Sequence, residues 1–366
     1  MSPFHSRERA WMARALELAW LGRDGTHPNP RVGCVLVRDG EVVGEGWHRR
    51  AGEPHAEAFA LDAAGARARG ATAYVTLEPC NHHGRTPPCT EALLAAGVAR
   101  VVYAVPDPDP RVDGGGAARL RAAGVDVVCG LLAEEATELN LGFFSRLRRG
   151  RPWVRLKLAA SLDGRTALAG GESQWITSEA ARQDVQCWRA QSAAILTGVG
   201  TVLADDPALT VRVGDSPRQP LRVVLDGRLR SPPAARVFSG PGESLVFALE
   251  DADAGRFLPP SRVALERVSA GSDGRLALPE VLRRLGARQL NEAWVEAGPT
   301  LAGSLLAAGL VDELVLYLAP TLLGPDARPL AMLPALSRLA DRPAWRIHDL
   351  RPIGPDARIM LRPGGQ

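Results

Sequence analysis

The chain has 366 residues, 46% hydrophobic and 23% charged, with a net charge of +3 on 44 basic and 41 acidic groups. That length exceeds one ordinary core and sets two domains as the starting expectation. The near balance of charge gives no electrostatic ground for a nucleic-acid or membrane partner. No apolar run approaches the roughly 18 residues that cross a bilayer, and "MSPFHSRERAWMARALELAWLG" lacks the apolar core of a secretion signal. Five thinly spread cysteines make no disulfide framework, so a reducing, cytoplasmic compartment is expected.

Residues 7–21 repeat apolar groups at helical spacing. "VGCVLVRDGEVVGEGWH" reads as a hairpin turning at Asp39-Gly40, a pair suited to a type I′ turn. Then come a helix in "HAEAFALDAAGARA", a strand in "ATAYVTLEPC" and a helix in "CTEALLAAGV". A strand in "ARVVYAVPDP", a helix in "AARLRAAGV" and a strand in "DVVCG" complete a β-β-α-β-α-β-α-β order, which implies a three-layer α/β domain. A helix near 133–146 runs into "RLRRGRP", where basic residues, Gly and Pro mark a boundary near 150. The chain restarts with strands in "WVRLKLAASLDG", "AAILTGVGTV", "LRVVLDG", "SLVFAL", "NEAWVEAG" and "ELVLYLAP". Helices are expected at about 178–190, 279–286 and 300–309, giving a second α/β domain. No internal repeat is evident.

"EPCNHHGRTPPC" places two cysteines, two histidines and three prolines in one stiff loop. Upstream, His55 and Glu57 form H-A-E at a helix start; Cys80 ends a strand and Cys89 opens a helix. One His and two Cys suit Zn²⁺ with a fourth position left for water, and Glu57 is within reach to move protons to and from that water. H-x-E followed by P-C-x-x-C is the zinc-deaminase signature. Here the second cysteine stands nine residues on, and the insert is expected to wall the site. His82, His83 and Arg85 are candidates to meet a polar or phosphorylated substrate, with a solvated loop as the open alternative for the histidines. Either histidine could instead complete a structural zinc site. Asn29, in a tight Pro-rich turn, is a candidate to hydrogen-bond a pyrimidine. Cys34 and Cys129 read as core residues and Cys187 as a helix-face residue.

The second half carries no G-x-G-x-x-G in the dinucleotide-binding context, and "GPTLAGSL" has Ser304 where a phosphate-binding P-loop needs lysine. A strand, a Gly-Pro turn and a helix N-terminus remain at 298–304, an arrangement that binds phosphate through free N–H groups. "ILTGVGTVLADDPALTVR" adds a second Gly-rich turn, with Asp205, Asp206 and Arg212; both turns could also be ordinary tight turns. Ser173 and Trp175 stand on the loop "GGESQWITS". Among the 44 basic residues one is lysine, Lys157. A lysine that persists where arginine is the rule points to amine chemistry, with a solvated strand residue as the alternative.

These runs together resemble the bifunctional riboflavin biosynthesis deaminase/reductases. The resemblance rests on "THPNPRVGCVLV", "GEGWHRRAGEPHAE" and "YVTLEPCNHHGRTPPC" in the first half. In the second it rests on "KLAASLDGRTA", "GESQWITS", "ILTGVGTVLADDPALTVR" and "WVEAGPTLAGSLLAAGLVDELVLYLAP". It covers nearly the whole chain. It implies a cytidine-deaminase-like three-layer α/β/α domain over 1–147 and a dihydrofolate-reductase-like α/β domain over 148–366. It implies zinc-dependent deamination of 2,5-diamino-6-ribosylamino-4(3H)-pyrimidinone 5′-phosphate. NADPH-dependent reduction of the ribosyl group then gives 5-amino-6-ribitylamino-uracil 5′-phosphate. One zinc per chain falls to His55, Cys80 and Cys89, and proton transfer to Glu57. The resemblance carries reductase substrate contacts to Ser173, Arg189, Leu209, Arg212 and Glu296. It carries cofactor contacts to Ala159, Trp175, Thr201, Asp205 and Gly227. The turn of Gly298, Pro299, Thr300, Leu301, Ala302, Gly303 and Ser304 completes that set. At Ala159 and Gly227 only backbone contacts carry over. A catalytic role for Lys157 is expected from its uniqueness and position. The partner is a small phosphorylated pyrimidine, with no nucleic acid and no membrane, and a homo-oligomer (dimer or tetramer) is expected. A nucleic-acid base deaminase with an accessory α/β domain is the competing class; it would show a basic face and the shorter Cys spacing. A metal-stabilised binding protein would release no ammonia.

Overall fold

The computed structural model describes residues 4–82, 87–110, 112, 114–214, 218–255, 257 and 260–364. The chain divides into two compact units, Met1–Gly150 and Arg151–Gln366. The last helix of the first ends on Gly150 in the left-handed conformation, with φ 67°. Among the described residues no helix is long and apolar enough to cross a membrane.

The first unit opens with α1 (Ser6–Trp20), whose first turn is closed by the His5 N–H donating to Glu8 Oε2 at 3.0 Å. β1 (Gly33–Arg38) and β2 (Glu41–Trp47) form the expected hairpin. Asp39 and Gly40 both hold positive φ, 52° and 82°, as a type I′ turn demands. There follow α2 (Ala56–Ala64), β3 (Thr72–Val75), α3 (Cys89–Ala95), β4 (Arg100–Tyr103), α4 (Gly115–Ala122) and β5 (Asp126–Cys129). The helix expected near 133–146 is two, α5 (Ala133–Leu139) and α6 (Leu141–Arg149), broken at Asn140.

The five strands lie in the order β2-β1-β3-β4-β5; the β2–β1 and β1–β3 pairs are antiparallel, and the β3–β4 and β4–β5 pairs are parallel. Alternate strand residues go to opposite faces. Cys34, Leu36 and Val75 pack with Ala60 of α2, Leu93 of α3 and Leu120 of α4. Val35, Val37 and Tyr74 pack with Met12 of α1 and with Phe143 and Phe144 of α6. These are the three expected layers. Cys34 is buried as expected, but Cys129 is exposed: it ends β5, an edge strand that no further strand covers.

The second unit contains β6 (Trp153–Ser161), β7 (Arg165–Ala167), α7 (Glu179–Gln191), β8 (Ala194–Gly198) and α8 (Val199–Asp205). β9 (Leu221–Leu225), β10 (Ser244–Leu249), β11 (Val263–Val268), α9 (Leu278–Ala287), β12 (Glu292–Glu296) and α10 (Pro299–Ala307) follow. β13 (Glu313–Ala319), β14 (Arg328–Pro329), β15 (Trp345–Ile353) and β16 (Asp356–Pro363) close the chain. Nine strands form one sheet, β11-β10-β9-β8-β12-β6-β13-β16-β15. It is parallel from β11 to β13; β16 and β15 add an antiparallel edge. The strand read through "AAILTGVGTV" stops at Gly198 and continues as α8, so the Gly-rich turn is a helix start. Ser178 caps α7, its hydroxyl accepting from Ala181 N–H at 3.3 Å.

Candidate active sites

In the first unit two helix starts meet a loop: the strand expected to end at Cys80 stops at Val75, and Cys80 lies in the loop beyond it. His55 is the residue before α2, Cys80 follows β3, and Cys89 is the first residue of α3. Their ligand atoms all lie within 4.8 Å of one another. His55 Nδ1 is 3.2 Å from Cys89 Sγ and 3.5 Å from Cys80 Sγ. In a tetrahedral zinc site with Zn–S of about 2.3 Å and Zn–N of about 2.0 Å, donor atoms stand about 3.5–3.8 Å apart. The three donors therefore fit a zinc ion with little movement. The approach of α3 is fixed by its first two N–H groups, which donate to Cys80 Sγ at 3.4 Å and to Cys80 O at 3.2 Å. On the other side Glu78 accepts from Ala117 N–H at 2.9 Å and Gly114 N–H at 3.2 Å, tying the strand end to α4. Gly116 permits that docking, since a Cβ there would lie 1.9 Å from the Pro79 carbonyl oxygen.

Among the three donors the electrostatics favour the anionic, metal-binding form of Cys80. The Cys89 thiol, and next the His55 ring, hold Cys80 well below the usual thiol range. Cys89, hydrogen-bonded to Cys80 and buried, is pushed up. The bond to Cys80 raises His55. Glu57, 3% exposed in the first turn of α2, is raised by burial. Asn29 is half-buried, its Nδ2 3.1 Å from His48 Nε2. His48 Nδ1 is 3.1 Å from the Pro54 carbonyl. A carbonyl can only accept, so Nδ1 carries the proton and Nε2 receives the Asn29 amide. His48 was not singled out from sequence; its place in the strand-end run "GEGWH", eight residues before Glu57's helix, gave no period to follow. His82 Nδ1 is buried without a protein hydrogen-bond partner. His83 and Arg85 lie outside the described residues.

In the second unit the carboxyl ends of β6, β12, β8, β9 and β10 open into one cavity of about 2030 Å³. This is where open α/β sheets hold ligands. Lys157 and Ala159 face it from β6, Glu296 from the end of β12 and Arg189 from α7. Ser173 and Trp175 line it from the preceding loop, and Leu209 and Arg212 from the segment after α8. Thr201, Asp205 and Gly227 lie on its wall, as do Gly298, Pro299, Thr300, Leu301, Gly303 and Ser304. One residue of the expected set departs: Ala302 is fully buried among the core residues, because it lies on the inner face of α10. Trp175 is 68% exposed, with the Arg182 guanidinium 4.6 Å from its ring centroid. Leu209 holds a φ of 50°, a conformation rare for a bulky side chain.

The floor of the cavity is an ion pair. Arg189 Nε and Nη2 donate to Glu296 Oε1 and Oε2 at 2.6 and 2.9 Å, and Trp294 Nε1 donates to Oε1 at 2.9 Å. Burial alone would raise Glu296, but Arg189, then Lys157 and Trp294, hold it at about 2. Lys157 is pushed down by burial; Glu296, beside it in the β12–β6 register, opposes that and Arg189 adds to it. At α10, Gly298 supplies no side-chain cap and Pro299 has no N–H, so the Thr300 and Leu301 N–H groups open the helix without a helical acceptor.

Two family models match the chain. Residues 5–105 match the cytidine and deoxycytidylate deaminase zinc-binding region, and residues 152–359 match the RibD C-terminal domain. The chain is 55% identical to the riboflavin biosynthesis protein RibD of Escherichia coli, covering 97% of this chain and 99% of that one. Identity to the Haemophilus influenzae RibD is 48%, over the full length of both. Among solved structures, RibD of Acinetobacter baumannii superposes with a TM-score of 0.89 at 44% identity, over 98% of this chain and 99% of that one. A Thermotoga maritima protein described as a diaminohydroxyphosphoribosylaminopyrimidine deaminase/5-amino-6-(5-phosphoribosylamino)uracil reductase gives 0.87 at 34%, with the same coverage.

Proposed function

The chain belongs to the RibD family of riboflavin biosynthesis proteins, and from that premise we propose which residues carry each half of its chemistry. The protein is a bifunctional enzyme, a zinc-dependent deaminase joined to an NADPH-dependent reductase. It deaminates 2,5-diamino-6-ribosylamino-4(3H)-pyrimidinone 5′-phosphate and reduces the ribosyl group to give 5-amino-6-ribitylamino-uracil 5′-phosphate.

Deamination belongs to the first unit, residues 1–147 in this reading. What supports it most is the meeting of three zinc-type donors beside a buried carboxyl. His55, Cys80 and Cys89 hold one zinc, which when bound acts as a Lewis acid and acidifies a water ligand. Glu57 takes a proton from the attacking water and returns it to the leaving amine. Asn29, with its Nδ2 engaged by His48, offers its carbonyl oxygen to a pyrimidine N–H. The unpartnered Nδ1 of His82 supports a substrate contact there, and Arg85 in the same insert is read as meeting the polar or phosphorylated substrate.

Reduction belongs to residues 148–366. NADPH supplies the hydride. Lys157 orients the opened ribose and stabilises the charge that develops on its oxygen. The Arg189–Glu296 pair fixes the floor on which the sugar rests, with Ser173, Leu209 and Arg212 completing the substrate side. The free N–H groups of Thr300 and Leu301 receive a cofactor phosphate, and Ala159, Trp175, Thr201, Asp205 and Gly227 line the cofactor's path. The same proposal includes a homo-oligomer, dimer or tetramer. The edge strand β15, with Ile347 and Leu350 exposed, supports it; sedimentation that finds only monomer would remove it.

The deciding experiment incubates the protein with the diaminopyrimidine phosphate, zinc and either nicotinamide cofactor, and identifies products by mass. Ammonia release without cofactor, and a gain of two hydrogens only with NADPH, is expected. Zinc-loaded protein that releases no ammonia overturns the deaminase assignment. Separated halves 1–147 and 148–366 are each expected to keep one activity.

A further inference from the structure

Asn140 stands where the chain breaks between α5 and α6, 4% exposed. An asparagine at such a break ordinarily turns its side chain back to cap the following helix. Here it makes no cap bond to α6. Its carboxamide reaches across to Arg31, 109 residues away: Oδ1 accepts from Arg31 N–H and Nδ2 donates to Arg31 O, both at 2.8 Å. Arg31 answers with Nη1 donating to the Leu139 carbonyl at 2.8 Å. Both main-chain polar groups of one loop residue are thus held by a single buried side chain.

That loop residue lies two positions from Asn29. The turn is closed by Asn29 N–H donating to Thr26 O at 2.8 Å, and beyond Arg31 the Val32 carbonyl accepts from His48 N–H at 2.9 Å. Between these points, Asn140 bonds both the N–H and the C=O of Arg31. The Asn29 side chain, in turn, meets His48, which is bonded to the carbonyl next to His55. We infer that Asn140 is a positioning residue for deamination: its clamp on Arg31 fixes the Pro-rich turn that sets Asn29 against His48. The inference rests on the reading of Asn29 as a substrate contact. Because the clamp touches neither the zinc donors nor Glu57, its loss is felt through substrate placement. A misplacement of about 1 Å at a positioned group costs on the order of 10²-fold.

The test is a double-mutant cycle on the full chain with Asn140→Leu and Asn29→Ala. Zinc content, deaminase kcat and KM, and reductase rate are measured for each. Asn140→Leu is expected to keep its zinc and reductase rate, and to lose roughly 10–10²-fold in deaminase kcat/KM, mainly through KM. The double variant is expected to be no worse than Asn29→Ala, the coupling that marks action through that residue. Independent, additive losses overturn the inference while leaving the Asn29 contact standing. Wild-type kinetics for Asn140→Leu also overturn it. Normal deamination by Asn29→Ala removes the underlying contact instead, a separate failure. Should Asn140→Leu lose zinc, Asn140→Asp, which keeps the acceptor for Arg31 N–H, carries the same cycle; additivity there again overturns it.

Discussion

The zinc donors span a short stretch of chain: His55 and Cys89 are 34 residues apart, each at the start of a helix, with Cys80 in the loop between. The reductase cavity is gathered from five strand ends, and its central ion pair joins residues 107 apart. The first site is a small set of side chains with specialised chemistry. The second is a large surface on which most positions contribute shape and main-chain groups. Single substitutions should therefore abolish function in the first unit and grade it in the second.

The largest effect is expected at Glu57. Glu57→Gln keeps the volume but removes the proton carrier, so deamination should fall by at least about 10²–10⁴-fold. Zinc content by elemental analysis and the reductase rate on supplied deaminated substrate should hold. Near-normal ammonia release would break the contrast at its strongest point. Cys89→Ala should, by comparison, lose the zinc itself; full retention would dismiss the three-donor assignment.

Next comes Lys157→Arg, expected to lower the reductase rate by about 10²-fold with deamination and NADPH affinity unchanged. A planar guanidinium cannot take the place of a compact amine. Burial lowers Lys157 from 10.5, so a rate that needs the ammonium falls as pH rises through the lowered value. The alkaline limb of the wild-type profile should therefore lie below 10.5 and be absent from the residual activity of Lys157→Arg. A wild-type rate for this variant would make the lone lysine an accident of composition.

The ion pair gives a smaller, graded effect on stability. Glu296 falls from 4.5 to about 2 in the folded chain. A depressed carboxyl stabilises the fold above its unfolded value and ceases to do so as pH falls through the folded one. The second unit should thus lose stability progressively between about 4.5 and about 2. Glu296→Gln should flatten that part of the thermal-unfolding profile; an unchanged slope would show that Arg189 does not hold the carboxylate.

The same contrast governs what the sequence could reveal. The hairpin was legible because Asp39-Gly40 is a local signal, and the zinc donors because their residue types and element ends are local too. Asn140's break, the α8 helix and the β15–β16 edge were not: each depends on contacts formed far along the chain. The extended reading of "GVGTV" failed because Gly198 ends a strand and begins a helix with no polar cap to announce it. The pairing of Asn29 with His48, and of Arg189 with Glu296 and Trp294, likewise exists only after folding. Within the cavity, the resemblance to the family supplied residues that periodicity could not. It did so as a continuous turn, 298–304, without separating wall from core.

Ala302 tests that last distinction. Its N–H is committed to the Gly298 carbonyl at 3.1 Å, and its side chain is fully buried. Neither group is available to a phosphate, unlike the opening N–H groups of Thr300 and Leu301. Ala302→Gly should cost about 1 kcal/mol in helix propensity and about 0.8 kcal/mol for the lost buried methyl. Together these lower Tm by about 4–7 °C for a unit of this size. NADPH affinity, measured by fluorescence titration below the new Tm, should stay within about twofold, since the main-chain path of α10 is kept. A large loss of affinity with Tm unmoved would place Ala302 on the cofactor face and return the whole turn to the wall of the cavity.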